Sequence, residues 1–468
     1  MVSKVLSAVL ALIVTTVMYA EWMHKSDKSD RNVISEAIRT AFDDGVLLSY
    51  GYPHFRNFTS RDNLSGLDQG AECFYVKMIM YHEKGARRIN DLNPGYYSTG
   101  ASADFNCAAA EKLVTDPPEQ LDDRSVWQVA YKPRLWHGVK AVLLSALPFL
   151  HYSQITWLIQ LTTFCSLALF AMLVVATNRQ VGLAYIPFVL SGYYCSSILF
   201  FGGVVYSMPF MAMVLWGVIW LGYRIVFGTK HRASELFLVT AGGTLHSFFF
   251  QMDGAEIYAV SLIFFIEIFL APEGPSRRSL KNAFESCAFY VVGFVGSTLF
   301  KNLLVAVFDG SLNTLYELVE KIGARAGSVT DTGRKIGLFD IVHGQFHWYG
   351  VAGYSVTSLY YWVNASKYIF IFFAVITTLI LAYFYKEGKR KECEQIGIGF
   401  CGAALMLAVV VGRYMVLREH SDMHIFFVNR YLFVFAGTAY FYGAWLFSIV
   451  WSGCRLEQHL VSSLAEKA

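Results

Sequence analysis

Two carboxylates open the stretch Asp68-Gln69-Gly70-Ala71-Glu72-Cys73-Phe74-Tyr75, whose apolar positions recur at helical spacing as far as Tyr81. Asp68 at the head of such a helix is either a cap that complements the dipole, with Glu72 its exposed neighbour, or an acid or base for chemistry. Further on, Lys132-Pro133-Arg134-Leu135-Trp136-His137-Gly138 sets Arg134 and His137 among aromatics. A guanidinium there suits the oxygens of a lipid-linked phosphate, while Arg134 and Trp136 serve equally well as an ordinary interfacial anchor. Asp253 and Glu256 stand three residues apart, on one helix face, where they could orient a substrate hydroxyl or hold a divalent metal; a solvated turn needs neither. His420 and His424 have the i, i+4 spacing of zinc helices but lack the Glu of a His-Glu-x-x-His arrangement, so a phosphate or sugar-hydroxyl role fits them better. His343 and His347 flank Gly344-Gln345-Phe346, Lys301 lies near the end of an apolar run, and Asn429-Arg430-Tyr431 begins another.

These groups need a scaffold, and composition says which kind. The 468 residues are 55% hydrophobic and only 16% charged, against roughly 25% charged in soluble domains, and the mean hydropathy is +0.42. A simple soluble enzyme is excluded, as is a disordered chain, given 28 Tyr, 38 Phe and 10 Trp. A net charge of +3 argues for no nucleic-acid partner.

The reading is an all-α polytopic membrane protein of about ten transmembrane helices with a large extracytoplasmic first loop. Apolar runs cover Val5–Ala20 and then 153–176, 181–199, 203–222, 235–251, 254–271, 285–304, 367–386, 396–415 and 431–452. The first run is either a cleaved signal peptide or, because it continues through Trp22 and Met23, an uncleaved span. The chain thus divides into a first span at 1–22, an extracytoplasmic loop at 23–152, spans two to seven at 153–308, a second loop at 309–366, and spans eight to ten with a cytoplasmic tail at 367–468. The stretch 139–150, about a dozen residues broken by Pro148, suits an amphipathic helix docked on the outer surface. With it outside, Arg179, then Arg224, Lys230 and Arg232, then Arg277, Arg278 and Lys281, then Lys386, Lys389, Arg390 and Lys391 all fall in cytoplasmic connections. Both termini are then cytoplasmic, and the candidate groups collect on the opposite face.

Cys73 and Cys107 are the two cysteines remote from any apolar run. An oxidising compartment would pair them; two buried free thiols are the alternative. Asn57 and Asn63 stand in formal glycosylation sequons, which arise readily by chance. No internal repeat is visible.

In this layout the chain resembles the GT-C superfamily of polytopic glycosyltransferases, in which a first span leads to a large outer loop with an early acidic motif, commonly Asp-Glu followed by Tyr. Asp68, Glu72 and Tyr75 answer to that motif here, with the two acids separated by three residues. The resemblance implies a sugar donor on a polyprenyl phosphate and a glycan, lipid or protein acceptor, with the membrane lipid itself as a partner. It implies inverting transfer to a hydroxyl with Asp68 as general base, Glu72 placing a hydroxyl or a metal, and Arg134, Lys301 or Arg430 stabilising the departing phosphate. The corresponding place in the cell is a bacterial inner membrane with the site facing the periplasm or exterior. No particular cofactor is implied, and a divalent metal at the carboxylates is one option. Two other classes use the same parts: a lipid-linked glycan polymerase or ligase relying on late-loop groups such as His424 and Arg430, and a transporter or flippase. Against the last stand the missing repeats and the scarcity of paired midplane charges, with Glu267 the main exception.

Overall fold

A computed structural model describes residues 2–48, 69–81, 95–98, 107–115, 128–131, 136–177, 182–195, 203–228, 231–249, 255–309, 312–325, 357–417 and 431–465. Its architecture is helical, with one two-stranded antiparallel ribbon among the described residues. Among the described residues seven helices are long and apolar enough to cross a membrane: Val2–Ser26, Tyr152–Thr177, Ser207–Phe227, Arg277–Phe308, Trp362–Lys386, Arg390–Val416 and Leu432–Trp451. They belong to α1 (Val2–Ser26), α6 (Tyr152–Thr177), α8 (Val204–Phe227), α11 (Arg277–Asp309), α13 (Thr357–Lys386), α14 (Arg390–Val416) and α15 (Leu432–Ala465). Their outward faces carry large apolar side chains, as lipid-facing surfaces must.

Seven is fewer than the ten apolar runs, and the difference has a physical cause. Run 181–199 becomes a 3-10 turn, Gly182–Tyr185, followed by the short α7 (Ile186–Cys195). Run 235–251 becomes α9 (Arg232–Phe249), which carries Glu235, Thr240, Thr244 and His246 facing protein rather than lipid. Run 254–271 becomes α10 (Ala255–Phe264) continued by a π-turn, Phe265–Phe269, and is buried along almost its whole length. Close packing explains the small residues of α9. A Cβ on Gly243 would collide with the Tyr290 carbonyl, and one on Gly293 with that of Thr240, so α9 and α11 cross backbone to backbone.

Helix α1 runs parallel to α11. Lys4 pairs with Glu285 at 2.6 Å and the Thr16 hydroxyl meets Ser297 at 3.5 Å, both 281 positions apart. At the far end of α1, Asp27 gathers the segment that follows it. Its carboxylate takes Arg31 at 2.6 Å and the buried Lys140 at 3.0 Å, while Arg31 also donates to the Ile79 carbonyl at 2.7 Å. Four elements meet there: α1, α2 (Arg31–Asp43), α3 (Gln69–Met80) and α5 (Gly138–Ala146). Helix α2 starts on the Asp30 side chain, which accepts from Asn32 N, and turns Ile34, Ile38 and Ala41 inward. Helix α3 is joined to α4 (Cys107–Thr115) by the Cys73–Cys107 disulfide, so of the two alternatives for these thiols the pair is the one formed. Strands β1 (Gly95–Ser98) and β2 (Gln128–Tyr131) pair in register from Gly95 with Tyr131 to Ser98 with Gln128.

The 139–150 stretch opens as the short helix α5. Gly138, Val139, Lys140, Ala141, Leu143 and Leu144 of α5 are buried, and the turn after it, at Phe149, is what stands exposed. Phe248 lies directly over Gly138 and stacks on Tyr19 at 4.2 Å between centroids, with Trp22 and Trp136 around it.

Burial opposes ionisation of Asp27, but the Lys140 ammonium and the Arg31 guanidinium outweigh it and hold the carboxyl below its ordinary 3.8. A depressed carboxyl stabilises the fold above its unfolded-state pKa and loses that contribution as pH falls through the folded value. Asp27→Asn is therefore expected to lower stability at neutral pH by about 1–3 kcal/mol and to shrink that loss below pH 3.8. Thermal midpoints of the detergent-solubilised chain read across that range check it; an equal deficit at every pH would speak against it.

Candidate functional site

The ion pairs define two ends of the bundle. At one end lie Lys4, Arg224, Arg232, Glu235, Glu267 and Glu285. At the other, Asp27 pairs with Arg31 and Lys140, and Glu256 with Arg413. Helix α8 connects the two: Val205 at its start touches Glu72 and Arg224 lies in its last turn, about 28 Å apart along the axis and so close to the thickness of a bilayer core.

Glu72 faces the start of α8. Its Oε1 accepts from Val205 N at 2.8 Å and its Oε2 from the Tyr152 hydroxyl, and the carboxyl is buried. Helix α8 begins at Gly203 with no side-chain cap of its own, so Glu72 supplies from α3 the acceptor its first amides need. A Cβ on Gly203 would strike that carboxylate, which explains the glycine. Burial raises the Glu72 pKa to about 7, against the lowering effect of the bonds from Tyr152, Val205 and Val204. Both carboxylate oxygens are engaged by protein donors, so Glu72 ties α3 to α6 and α8.

One turn along α3, Tyr75 reaches the next candidate. Its hydroxyl lies 3.3 Å from His137 Nδ1, and the rings meet edge to face at 6.1 Å. His137 is buried in a left-handed conformation, φ 57 and ψ 40, immediately before α5. The acidic-motif helix and His137, 62 positions beyond Tyr75, are thus brought together through this pair.

A second cluster forms where α10 begins and α14 ends. Arg413 Nε donates to Glu256 Oε1 at 3.0 Å, and the guanidinium sits 5.8 Å from the centroid of Tyr431, itself stacked on Tyr414. The Arg413 side chain is 7% exposed. Its Nη1 and Nη2, and Glu256 Oε2, are buried without a hydrogen-bond partner among the described residues. A buried guanidinium that spends one of its three nitrogens on protein keeps an edge suited to a two-oxygen anion. Sequence reasoning placed Glu256 but passed over Arg413 and Tyr152; the signal for the first was a lone Arg near the end of an apolar run.

Lys301 is fully buried in α11, beside Asn302, whose carbonyl accepts from Thr314. Asp68, Arg134, Asp253, His343, His347, His420, His424 and Arg430 lie outside the described residues. Among the described residues no three His, Cys, Asp or Glu side chains converge as a metal site requires.

These features define an integral membrane protein of all-helical fold, with a disulfide-joined folded segment at one end of the bundle and buried polar clusters beneath it. Comparison of the chain with protein-family models, with curated proteins and with solved structures gives no match.

Proposed function

We propose that the chain is a membrane glycosyltransferase of GT-C-like, ten-pass construction. It moves a sugar from a polyprenyl-phosphate donor to an acceptor hydroxyl at the end of the bundle that carries the disulfide. The observation that carries this reading is Arg413: two buried guanidinium nitrogens without partners among the described residues, on a side chain held by Glu256 at that end, are what a lipid-linked phosphate would seek. The ten-pass count takes α7, α9 and the α10 π-turn segment as spans sheltered by protein; α9, at 18 residues, is about 27 Å long. The basic connections at Arg224, Arg232, Arg277 and Lys389 then face the cytoplasm, and the site faces the periplasm or exterior.

In the reaction, the acceptor oxygen forms its bond to the anomeric carbon as the carbon–oxygen bond to phosphate breaks, with inversion. Asp68 takes the hydroxyl proton and the phosphate leaves with the bonding electron pair. Arg413 holds that phosphate through its Nη edge and Glu256 Oε2 accepts from a donor sugar hydroxyl. The leaving group's negative charge grows as the bond breaks, so the guanidinium binds the transition state more strongly than the ground state.

Transfer by purified protein supplied with a polyprenyl-phosphate sugar tests the scheme. Asp68→Asn is expected to lower turnover by about 10²–10⁴-fold while leaving donor binding intact, and Arg413→Gln to weaken retention of the polyprenyl phosphate itself. Full transfer by the Asp68 variant together with loss in His424→Ala or Arg430→Ala would point instead to a polymerase or ligase. Lipid-linked sugar that crosses vesicles with no new glycosidic product would point to a flippase.

A further inference from the structure

The segment after α11 opens with α12 (Asn313–Arg325), whose described side chains sort into three sectors. Thr314 and Leu318 turn inward, the Thr314 hydroxyl meeting the Asn302 carbonyl of α11. Glu317 and Glu320 are exposed along one flank. Leu312, Tyr316 and Val319, at helical spacings of four and three, form a separate stripe that is 54%, 70% and 68% exposed.

A solvated loop helix has no use for that stripe, whereas a helix with one face on protein, one on water and one on lipid has this pattern. Its position agrees. Helix α11 runs parallel to α1, which carries Lys4 near its start and ends beside Asp27, so α11 also ends at the disulfide-bearing end of the bundle. The last turn of α11 exposes Val307 and Phe308, and α12 packs back beside it at Asn302. The stripe therefore continues the lipid-facing surface of a span, with Tyr316 at the depth where tyrosines collect in membranes.

We infer that α12 is an interfacial helix whose Leu312–Tyr316–Val319 stripe is seated in the leaflet at the disulfide-bearing end, so that this part of the 309–366 segment is membrane-bound. Glu317 and Glu320 stay in the water layer, which keeps the helix flat on the surface. The occupant is phospholipid, since the stripe follows the exposed Val307 and Phe308 of α11, a helix long and apolar enough to cross a membrane.

The unaltered chain, reconstituted in vesicles of phosphatidylethanolamine and phosphatidylglycerol with a trace of phospholipid carrying a diazirine near the top of one acyl chain, provides the test. After irradiation and peptide mapping, adducts are expected on Leu312, Tyr316 and Val319 and on the exposed faces of the spans, with none on Glu317 or Glu320. Tyr316→Asp with Val319→Asp is expected to abolish the α12 adducts and leave those of the spans unchanged, which also shows that the variant has folded. Span adducts with a bare α12 in the unaltered chain would overturn the proposal. So would cross-links between two copies through the stripe, which would make it a dimer face, or α12 adducts that survive the double substitution.

Discussion

Glu267→Ala is expected to destabilise the chain by about 3–5 kcal/mol, the cost of leaving buried cations without their counterion. Glu267 is fully buried at the middle of the π-turn, with Oε1 2.7 Å from Arg232 Nη1 and Oε2 3.2 Å from Arg224 Nη2, and its Oε1 also accepts from Ser286. The π-turn frees the Ile266 carbonyl, which accepts from Arg224 Nη1 at 2.9 Å. Arg224 and Arg232 both bind Glu235, and Arg232 and Lys4 both bind Glu285. Lys4, Arg224 and Arg232 thus balance Glu235, Glu267 and Glu285 across α1, α8, α9, the π-turn of α10 and α11.

Removing the carboxylate strands charge at a place where water cannot follow, so charge balance matters more than the lost bonds. Glu267→Gln, which keeps an acceptor oxygen, is expected to fall between the parent and the Ala variant. Glu267→Gln combined with Arg224→Gln restores neutrality and is expected to recover stability relative to either single change, giving a coupling of about 1–3 kcal/mol. Thermal midpoints in detergent for the four proteins measure it. Additive losses in the double variant would show that the network is held by packing rather than by charge.

The disulfide-bearing segment was legible in the sequence because Cys73 and Cys107 were the two thiols remote from apolar runs, and α3 because its apolar spacing is helical. The number of long apolar spans was not. Hydropathy cannot distinguish a helix surrounded by lipid from one surrounded by protein, and α9 shows why: Gly242, Gly243, Thr240 and Thr244 are there for contact with other helices. The 139–150 stretch shows the same limit from the other side, since its pattern marks a short helix but not that it packs on α1 and α3. Of the candidate groups, Glu72 was visible as an acid but not as the cap of a helix 133 positions away. Arg413 was hidden because its partner Glu256 lies 157 positions earlier. Such pairings are set by how helices pack, and no local pattern encodes them.

Glu72 separates two effects that a single substitution would confuse. Its carboxyl ionises near 7 in the fold and near 4.5 when exposed, so between those values the folded chain binds more protons than the unfolded chain. Stability therefore declines as pH rises through that window, by roughly 3 kcal/mol in all, and levels off above it. Glu72→Gln keeps an oxygen for the Val205 amide and has no proton to lose. It is expected to abolish this decline and to match or exceed the parent above pH 7. Glu72→Ala also removes the decline, but it leaves the first amides of α8 and the Tyr152 hydroxyl buried without their acceptor. A cost of about 3 kcal/mol relative to Gln is expected at every pH. Unfolding midpoints of the three proteins between pH 4.5 and 7 decide the matter. A Gln variant that kept the full decline would place the titrating group elsewhere, and an Ala variant as stable as Gln would show that α8 does not depend on α3 for its cap. Because Gln preserves the junction while removing the charge, loss of sugar transfer in Glu72→Gln with stability intact would assign the carboxylate a part in the chemistry beyond positioning.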